Sequence, residues 1–170
     1  MIKNEDIYIF RKLKEVEVPI MFNLIIERMK WMDKKNIKHW NVLEYDKIYP
    51  QSYYVEKTQQ GYTYGLYDVN TNELLCAAVL LENDDSWENQ EPSIYIHNFI
   101  SKVGCPGIGK LFIKYTEEYA KAKGKKYLRL DSSGDNEKLT EYYDKQGFIP
   151  VGDCVYVDGL YHGILRQKEI

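Results

Sequence analysis

The sequence predicts an α/β protein of the α+β kind: a central mixed, mostly antiparallel sheet flanked by helices, in one domain spanning residues 1–170. Three observations carry that expectation. Short runs rich in Tyr, Ile, Leu and Val recur along the chain between turn residues. Longer segments place apolar residues at helical spacing instead. Their order, β-α-α-β-β-β-α-β-α-β-β, sets consecutive hairpin strands before a strand-helix-strand unit. A dinucleotide-binding fold would alternate strand and helix from its start.

The first strand is "IYIFRKL" (7–13). Pro19 then suits the first turn of a helix, where its missing N–H would have no partner anyway. Met21, Leu24, Ile25, Met29 and Met32 form the apolar stripe of that helix. "YPQSYYVEKTQ" (49–59) reads as a second helix. "YTYGLYDV" and "ELLCAAVLLE" flank the turn Asn70–Asn72 as a hairpin. An acidic loop, "ENDDSWENQEP", leads into the fourth strand, "SIYIHNFI". Residues 107–123 carry Ile108, Leu111, Phe112, Tyr115, Tyr119 and Ala122 on one helical face, with Gly124 placed to cap the end. "KKYLRLD" is the fifth strand. "DNEKLTEYYDKQG" is a short helix capped by Asp135 or Asn136 and stopped by Gly147. "FIPVGDCVYV" and "GILRQKE" complete the sheet.

Composition narrows the function. Hydrophobic residues make up 44% and charged residues 29%, the balance of a globular domain. A net charge of −3 argues against a general nucleic-acid surface. No apolar run approaches the ~18 residues of a membrane span, and charges interrupt the N-terminus where a signal peptide is apolar. A cytoplasmic protein is the expectation. Cys76, Cys105 and Cys154, like His39, His97 and His162, are scattered, so neither a disulfide framework nor a metal centre is expected. The 16 tyrosines and 3 tryptophans fit rings that pack strands, or an aromatic-lined pocket.

"VGCPGIGKLF" (103–112) nearly matches two nucleotide-binding signatures. Gly104 through Lys110 read G-x-x-x-x-G-K, but Leu111 stands where a P-loop needs a Mg²⁺-binding hydroxyl. From Gly107 the dinucleotide fingerprint begins, and Phe112 replaces its third glycine. Without metal the loop still makes sense. Glycines that open a helix present backbone N–H groups and the positive dipole end to a phosphate or pyrophosphate. Leu111 is then a core-facing residue of that helix.

A second motif, N-x-x-L-x-x-Y-Y-x-x-x-G-F, runs from Asn136 to Phe148. With the loop, and with "IYIHNFIS" before it, it resembles the GNAT superfamily of N-acetyltransferases. That family carries Q/R-x-x-G-x-G/A at its pyrophosphate loop; Gly107 and Gly109 match its glycines. Gly104 departs from it by replacing the Gln or Arg, for which Lys102 or Lys110 would stand in. The resemblance is strong over residues 94–152, and the element order extends it along the chain.

The resemblance implies a GNAT-like domain with strands four and five splayed around acetyl-CoA, and no metal. Backbone at Phe99, Ile100 and Ser101 would pair with the pantetheine arm. Gly104, Cys105, Gly107, Ile108, Gly109 and Lys110 would take the pyrophosphate, with Lys114 adding charge, and Asn136 would meet the pantetheine. Tyr143 would serve as general acid to the CoA thiolate and so also lie against the cofactor. The base stays open between His97, Glu82 and a water chain. Trp40, Trp87 and His97 are the expected substrate contacts. The expected acceptor is a small-molecule amine, with a peptide N-terminus or a lysine as alternatives, and the protein is expected as a monomer or homodimer. Rival readings are an acyl-CoA sensor without chemistry, a Mg-nucleotide enzyme (disfavoured by Leu111) and a plain interaction domain.

Overall fold

The computed structural model describes residues 7–156, 159 and 161–170. The elements are β1 (Tyr8–Lys12), a 3-10 turn (Glu15–Glu17), α1 (Val18–Lys34), α2 (Tyr45–Ile48), α3 (Gln51–Gln59), β2 (Thr63–Asp68), β3 (Leu74–Leu81), β4 (Ser93–Ser101), α4 (Ile108–Ala122), β5 (Tyr127–Ser133), α5 (Glu137–Lys145), β6 (Ile149–Tyr156) and β7 (Tyr161–Glu169). Every predicted element is present; the 3-10 turn and α2 are additions. The predicted end of the sixth strand, Val157, lies outside the described residues.

The strands form a mixed seven-stranded sheet in the order β1-β2-β3-β4-β5-β7-β6. β1–β2, β2–β3, β5–β7 and β6–β7 are antiparallel, and β4–β5 is parallel. The β4–β5 ladder is short. Ser93, Ile94 and Tyr95 pair with Tyr127, Leu128 and Arg129, and the ladder ends there.

Two compact units are distinguished along the chain: Met1–Leu80 with Asn98–Tyr115, and Leu81–His97 with Thr116–Ile170. In the first, α1 starts with Pro19 in its opening turn and buries Val18, Met21, Leu24, Ile25 and Met32. Met29, expected in that stripe, is only half-buried. The β2–β3 hairpin is closed by Asp68, whose Oδ1 accepts the N–H groups of Asn70 (2.8 Å) and Thr71 (3.1 Å). Phe10 stacks on Tyr64 and Tyr115 and meets Phe112 edge-on.

The buried face of α4 differs from the expected one. Ile108, Phe112, Ile113, Thr116 and Ala120 are buried, whereas Leu111 and the tyrosines at 115 and 119 are half-buried. The larger rings of Tyr115 and Tyr119 lie along the edge of this face, Tyr115 stacked on Phe10. The smaller Thr116 and Ala120 then take the closest approach. Leu111 flanks the core and does not point into it.

In the second unit a buried cation organises the packing. Arg129 is 1% exposed and its guanidinium donates to Asn89 O (2.7 Å), Asn89 Oδ1 (3.0 Å), Tyr95 Oη (3.0 Å) and Gln167 Oε1 (3.2 Å). Trp87 covers it, 4.6 Å from guanidinium carbon to ring centroid. Arg166, equally buried, reaches Ser132 Oγ (2.8 Å), Thr140 Oγ1 (3.0 Å) and Asp144 Oδ1 (3.3 Å), which docks α5 on the β5–β7 pair. α4 and α5 end as expected, with reversal bonds from Lys125 N–H to Ala120 O and from Phe148 N–H to Tyr143 O.

Acid sensitivity enters through Glu17. Arg11 donates two bonds of 2.9 Å to its carboxylate, and Lys14 N–H adds a third. The Arg11 bonds lower the carboxyl, burial opposes them, and the net is a fall from 4.5 to about 2. The folded value lies below the unfolded one, so the stabilisation is complete above pH 4.5 and is lost as pH falls towards 2. Urea unfolding across this interval should show a smaller loss of stability in Glu17→Gln than in wild type. Parallel pH curves would contradict it.

Candidate functional site

The first unit presents a set of backbone donors. Gly104 and Gly107 both have φ of 85°, a conformation that costs an L side chain about 1–2 kcal/mol. A Cβ at either glycine would meet nothing within 4 Å, so the need for glycine here is purely conformational. The turn closes through long bonds, Cys105 N–H to Lys102 O (3.4 Å) and Ile108 N–H to Cys105 O (3.3 Å). The N–H groups of Gly107, Gly109 and Lys110 take no hydrogen bond among the described residues. α4 begins at Ile108 and is 15 residues long, so its dipole adds about half a unit of positive charge at this point. Donors, dipole and the exposed Lys110 and Lys114 together suit a polyanionic phosphate group. Lys102 is engaged elsewhere, by an ion pair with Glu73. Of the two cations expected to stand in for the missing Gln or Arg, Lys110 is the one available.

β4 leads into this loop. Phe99 is half-buried with its ring 5.5 Å from that of Phe112, Ile100 is buried, and Ser101 is half-buried. Arg28 Nη2 donates to both Ser101 O (2.9 Å) and Ser101 Oγ (3.1 Å). Sequence reasoning overlooked Arg28. Its signal was there, a cation between Ile25 and Met32 on an otherwise apolar stripe.

Asn98 is the other omission. It lies mid-strand with φ of 53°, nearly buried, and its amide is hydrogen-bonded at both ends. Nδ2 donates to Tyr45 Oη (2.7 Å), and Oδ1 accepts from Tyr53 Oη (3.0 Å). Tyr45 stacks on Trp40 at 4.3 Å and 12°. Trp40, a predicted substrate residue, thus stays half-buried at one end of an aromatic row that continues through Tyr49 and Tyr53. Burial pushes the Tyr45 and Tyr53 hydroxyls well above their ordinary range, so both are neutral.

In the second unit, Asn136 caps α5, its Oδ1 accepting Leu139 N–H at 3.1 Å. Of the two predicted caps, Asn136 is the one used. Tyr143, two turns on, is 6% exposed between the rings of Tyr142 (5.1 Å) and Phe148 (5.7 Å). Trp87, a predicted substrate residue, is placed in the core of this unit. It is 5% exposed and forms a core cluster with Tyr95 and Leu165, because the buried Arg129 needs an apolar cover. Glu82, one rival for the base, is tied to Lys125 (2.8 Å) and Lys123 (3.6 Å), and chiefly the Lys125 bond holds its carboxyl below the usual range. His97 contacts Asp84, Nε2 to Oδ2 at 2.9 Å, with a quarter of its side chain exposed. The sequence-predicted residues therefore fall into two sets, the loop and β4 end in one unit and Asn136, Tyr143 and His97 in the other.

No protein-family model and no curated protein matches the sequence. Solved structures do. A GNAT-family acetyltransferase from Listeria monocytogenes is 18% identical with a TM-score of 0.77, over 96% of this chain and 95% of that one. The PaiA N-acetyltransferase of Thermoplasma acidophilum, solved with coenzyme A, is 15% identical with a TM-score of 0.73, over 96% and 99%. The ribosomal-protein-S18-alanine N-acetyltransferase of Escherichia coli is 13% identical with a TM-score of 0.64, over 96% and 94%. The chain has the fold of the GNAT acetyltransferases.

The conformational role of Gly107 is open to measurement. Gly107→Ala should lower stability in urea by about 1–2 kcal/mol. Gly107→Asn should recover part of it, because Asn tolerates the left-handed region better. Equal loss in both variants would locate the penalty elsewhere.

Proposed function

We propose that the protein is an acetyl-CoA-dependent N-acetyltransferase. The observation that carries this is the donor set at the start of α4: the N–H groups of Gly107, Gly109 and Lys110, unbonded among the described residues, beside glycines held at positive φ, in a fold shared with acetyltransferases along 96% of the chain. A pyrophosphate is the anion such a set accommodates without metal. Gly104, Cys105, Gly107, Ile108, Gly109 and Lys110 hold it, and backbone at Phe99, Ile100 and Ser101 receives the pantetheine arm. When bound, acetyl-CoA supplies an activated acyl group as a thioester.

This chain's own residues hold the ligand and manage protons. The acceptor's nitrogen attacks the thioester carbonyl, and the C–S bond breaks. Tyr143 donates its hydroxyl proton to the departing thiolate, a contribution typically worth 10²–10⁴-fold in rate. Its place in the N-x-x-L-x-x-Y-Y motif and its confinement between Tyr142 and Phe148 support this role. Asn136 serves the pantetheine through the amide nitrogen that capping leaves unused. The acceptor is a primary amine. Similarity to an enzyme named for a ribosomal-protein alanine supports a peptide N-terminus as an acceptor class alongside small amines.

Thermal unfolding with acetyl-CoA, CoA, Mg-ATP and NAD tests the cofactor. At a hundred times Kd a native-state ligand adds about 2.7 kcal/mol, so acetyl-CoA and CoA should raise Tm while Mg-ATP and NAD leave it unchanged. Thiol release is then followed over small amines and short peptides. Tyr143→Phe should keep the acetyl-CoA shift and lower kcat at least about tenfold. Binding without thiol release from any acceptor would favour an acyl-CoA sensor. No shift with either CoA form would refute the proposal.

A further inference from the structure

The ladder between β4 and β5 ends at Tyr95 and Arg129, which share a face of the sheet and touch through Arg129 Nη1 and Tyr95 Oη. One step of two residues further, His97 and Asp131 stand on that same face, beyond the last paired position. Asp84 approaches from the loop after β3. Its Oδ2 lies 2.9 Å from His97 Nε2, and its Oδ1 accepts Ser86 N–H at 2.9 Å. Tyr161, from β7, donates its hydroxyl to Asp131 at 3.2 Å. Four titratable groups from four chain segments thus converge, and Cys154 and Tyr143 lie close enough to influence Tyr161.

The groups are not equivalent. Burial pushes the Asp84 carboxyl up, but the bonds from His97 and Ser86 outweigh it, so Asp84 is ionised at neutral pH. Asp131 goes the other way, raised by burial, with the nearby His97 and the Tyr161 bond opposing. Asp84 is 10% exposed and His97 25%, so the imidazole is the more accessible of the pair. A carboxylate can only accept. At 2.9 Å it favours the proton of a neutral imidazole on Nε2 and leaves the lone pair on Nδ1, which has no hydrogen-bond partner among the described residues.

We propose that His97, held in this tautomer by Asp84, is the base that takes the proton from the acceptor amine. This rests on the acetyl-transfer reading above. The nitrogen lone pair forms the C–N bond at the thioester carbonyl carbon, and an N–H proton passes to His97 Nδ1. The C–S bonding pair leaves on sulfur, which takes the Tyr143 proton. Asp84 orients the ring as a positioning residue, and Asp131 adds a second acceptor close by. Proton removal and proton delivery are thereby assigned to separate groups.

Two measurements test this. Nitrogen-15 histidine NMR of wild type and Asp84→Asn should show neutral His97 as the Nε2–H tautomer in wild type and a mixture in the variant. Thiol release by wild type, His97→Gln and Asp84→Asn is followed from about pH 6 to about pH 10. His97→Gln should lose at least about tenfold in kcat/KM at neutral pH, regain part of it at high pH where the amine is already neutral, and keep the acetyl-CoA Tm shift. Asp84→Asn should lower kcat/KM at neutral pH and keep the acetyl-CoA Tm shift. An Nδ1–H tautomer in wild type, or a His97→Gln profile matching wild type, overturns the base alone. A wild type that binds acetyl-CoA and releases no thiol from any acceptor overturns the acetyl-transfer reading, and the base with it.

Discussion

A buried guanidinium must find acceptors or cost several kcal/mol, and Arg129 imposes that condition on the second unit. Asn89 answers it with two oxygens, Tyr95 and Gln167 with one each, and Trp87, Tyr95 and Tyr127 surround it with ring faces. The consequences reach the chemistry. The acidic loop 82–92 is drawn onto β4 and β5 because Asn89 and Trp87 belong to it. Trp87 is consumed as cover. Asp84, five residues before Asn89, is left beside His97.

In the first unit the constraint is backbone conformation. Three residues, Asn98, Gly104 and Gly107, adopt positive φ within ten positions of one another. The glycines do so at no steric cost, and the result is a turn that delivers N–H groups without a partner among the described residues at the start of α4. Asn98 is a strained strand residue, and the bonds its side chain makes to Tyr45 and Tyr53 offset the strain. Removing those tyrosines would leave both the strain and a buried amide without partners. The aromatic row from Trp40 to Tyr53 is thus tied to the strand that precedes the loop.

Much of this was legible in the residue order, because the signals are local. Alternation marked the strands, the stripe and Pro19 marked α1, and Gly124 and Gly147 marked helix ends. The glycine turn and the Asn136–Phe148 motif pointed to the GNAT fold, which the solved structures bear out. The face of α4 differs at Leu111 because periodicity counts Leu, Tyr and Phe alike, whereas packing gives the closest approach to the small Thr116 and Ala120 and leaves Leu111 at the edge.

What the sequence determined by itself is the element order, the caps and the glycine-opened helix, since each depends on residues a few positions apart. Tertiary structure alone decided the partners. Arg28 meets Ser101 across 73 positions and Arg129 meets Asn89 across 40, and no period or spacing encodes such encounters. The same holds for Asp84 and His97. A buried charge takes whichever acceptors the folded chain brings within reach, so its partners become known only once the strands are paired.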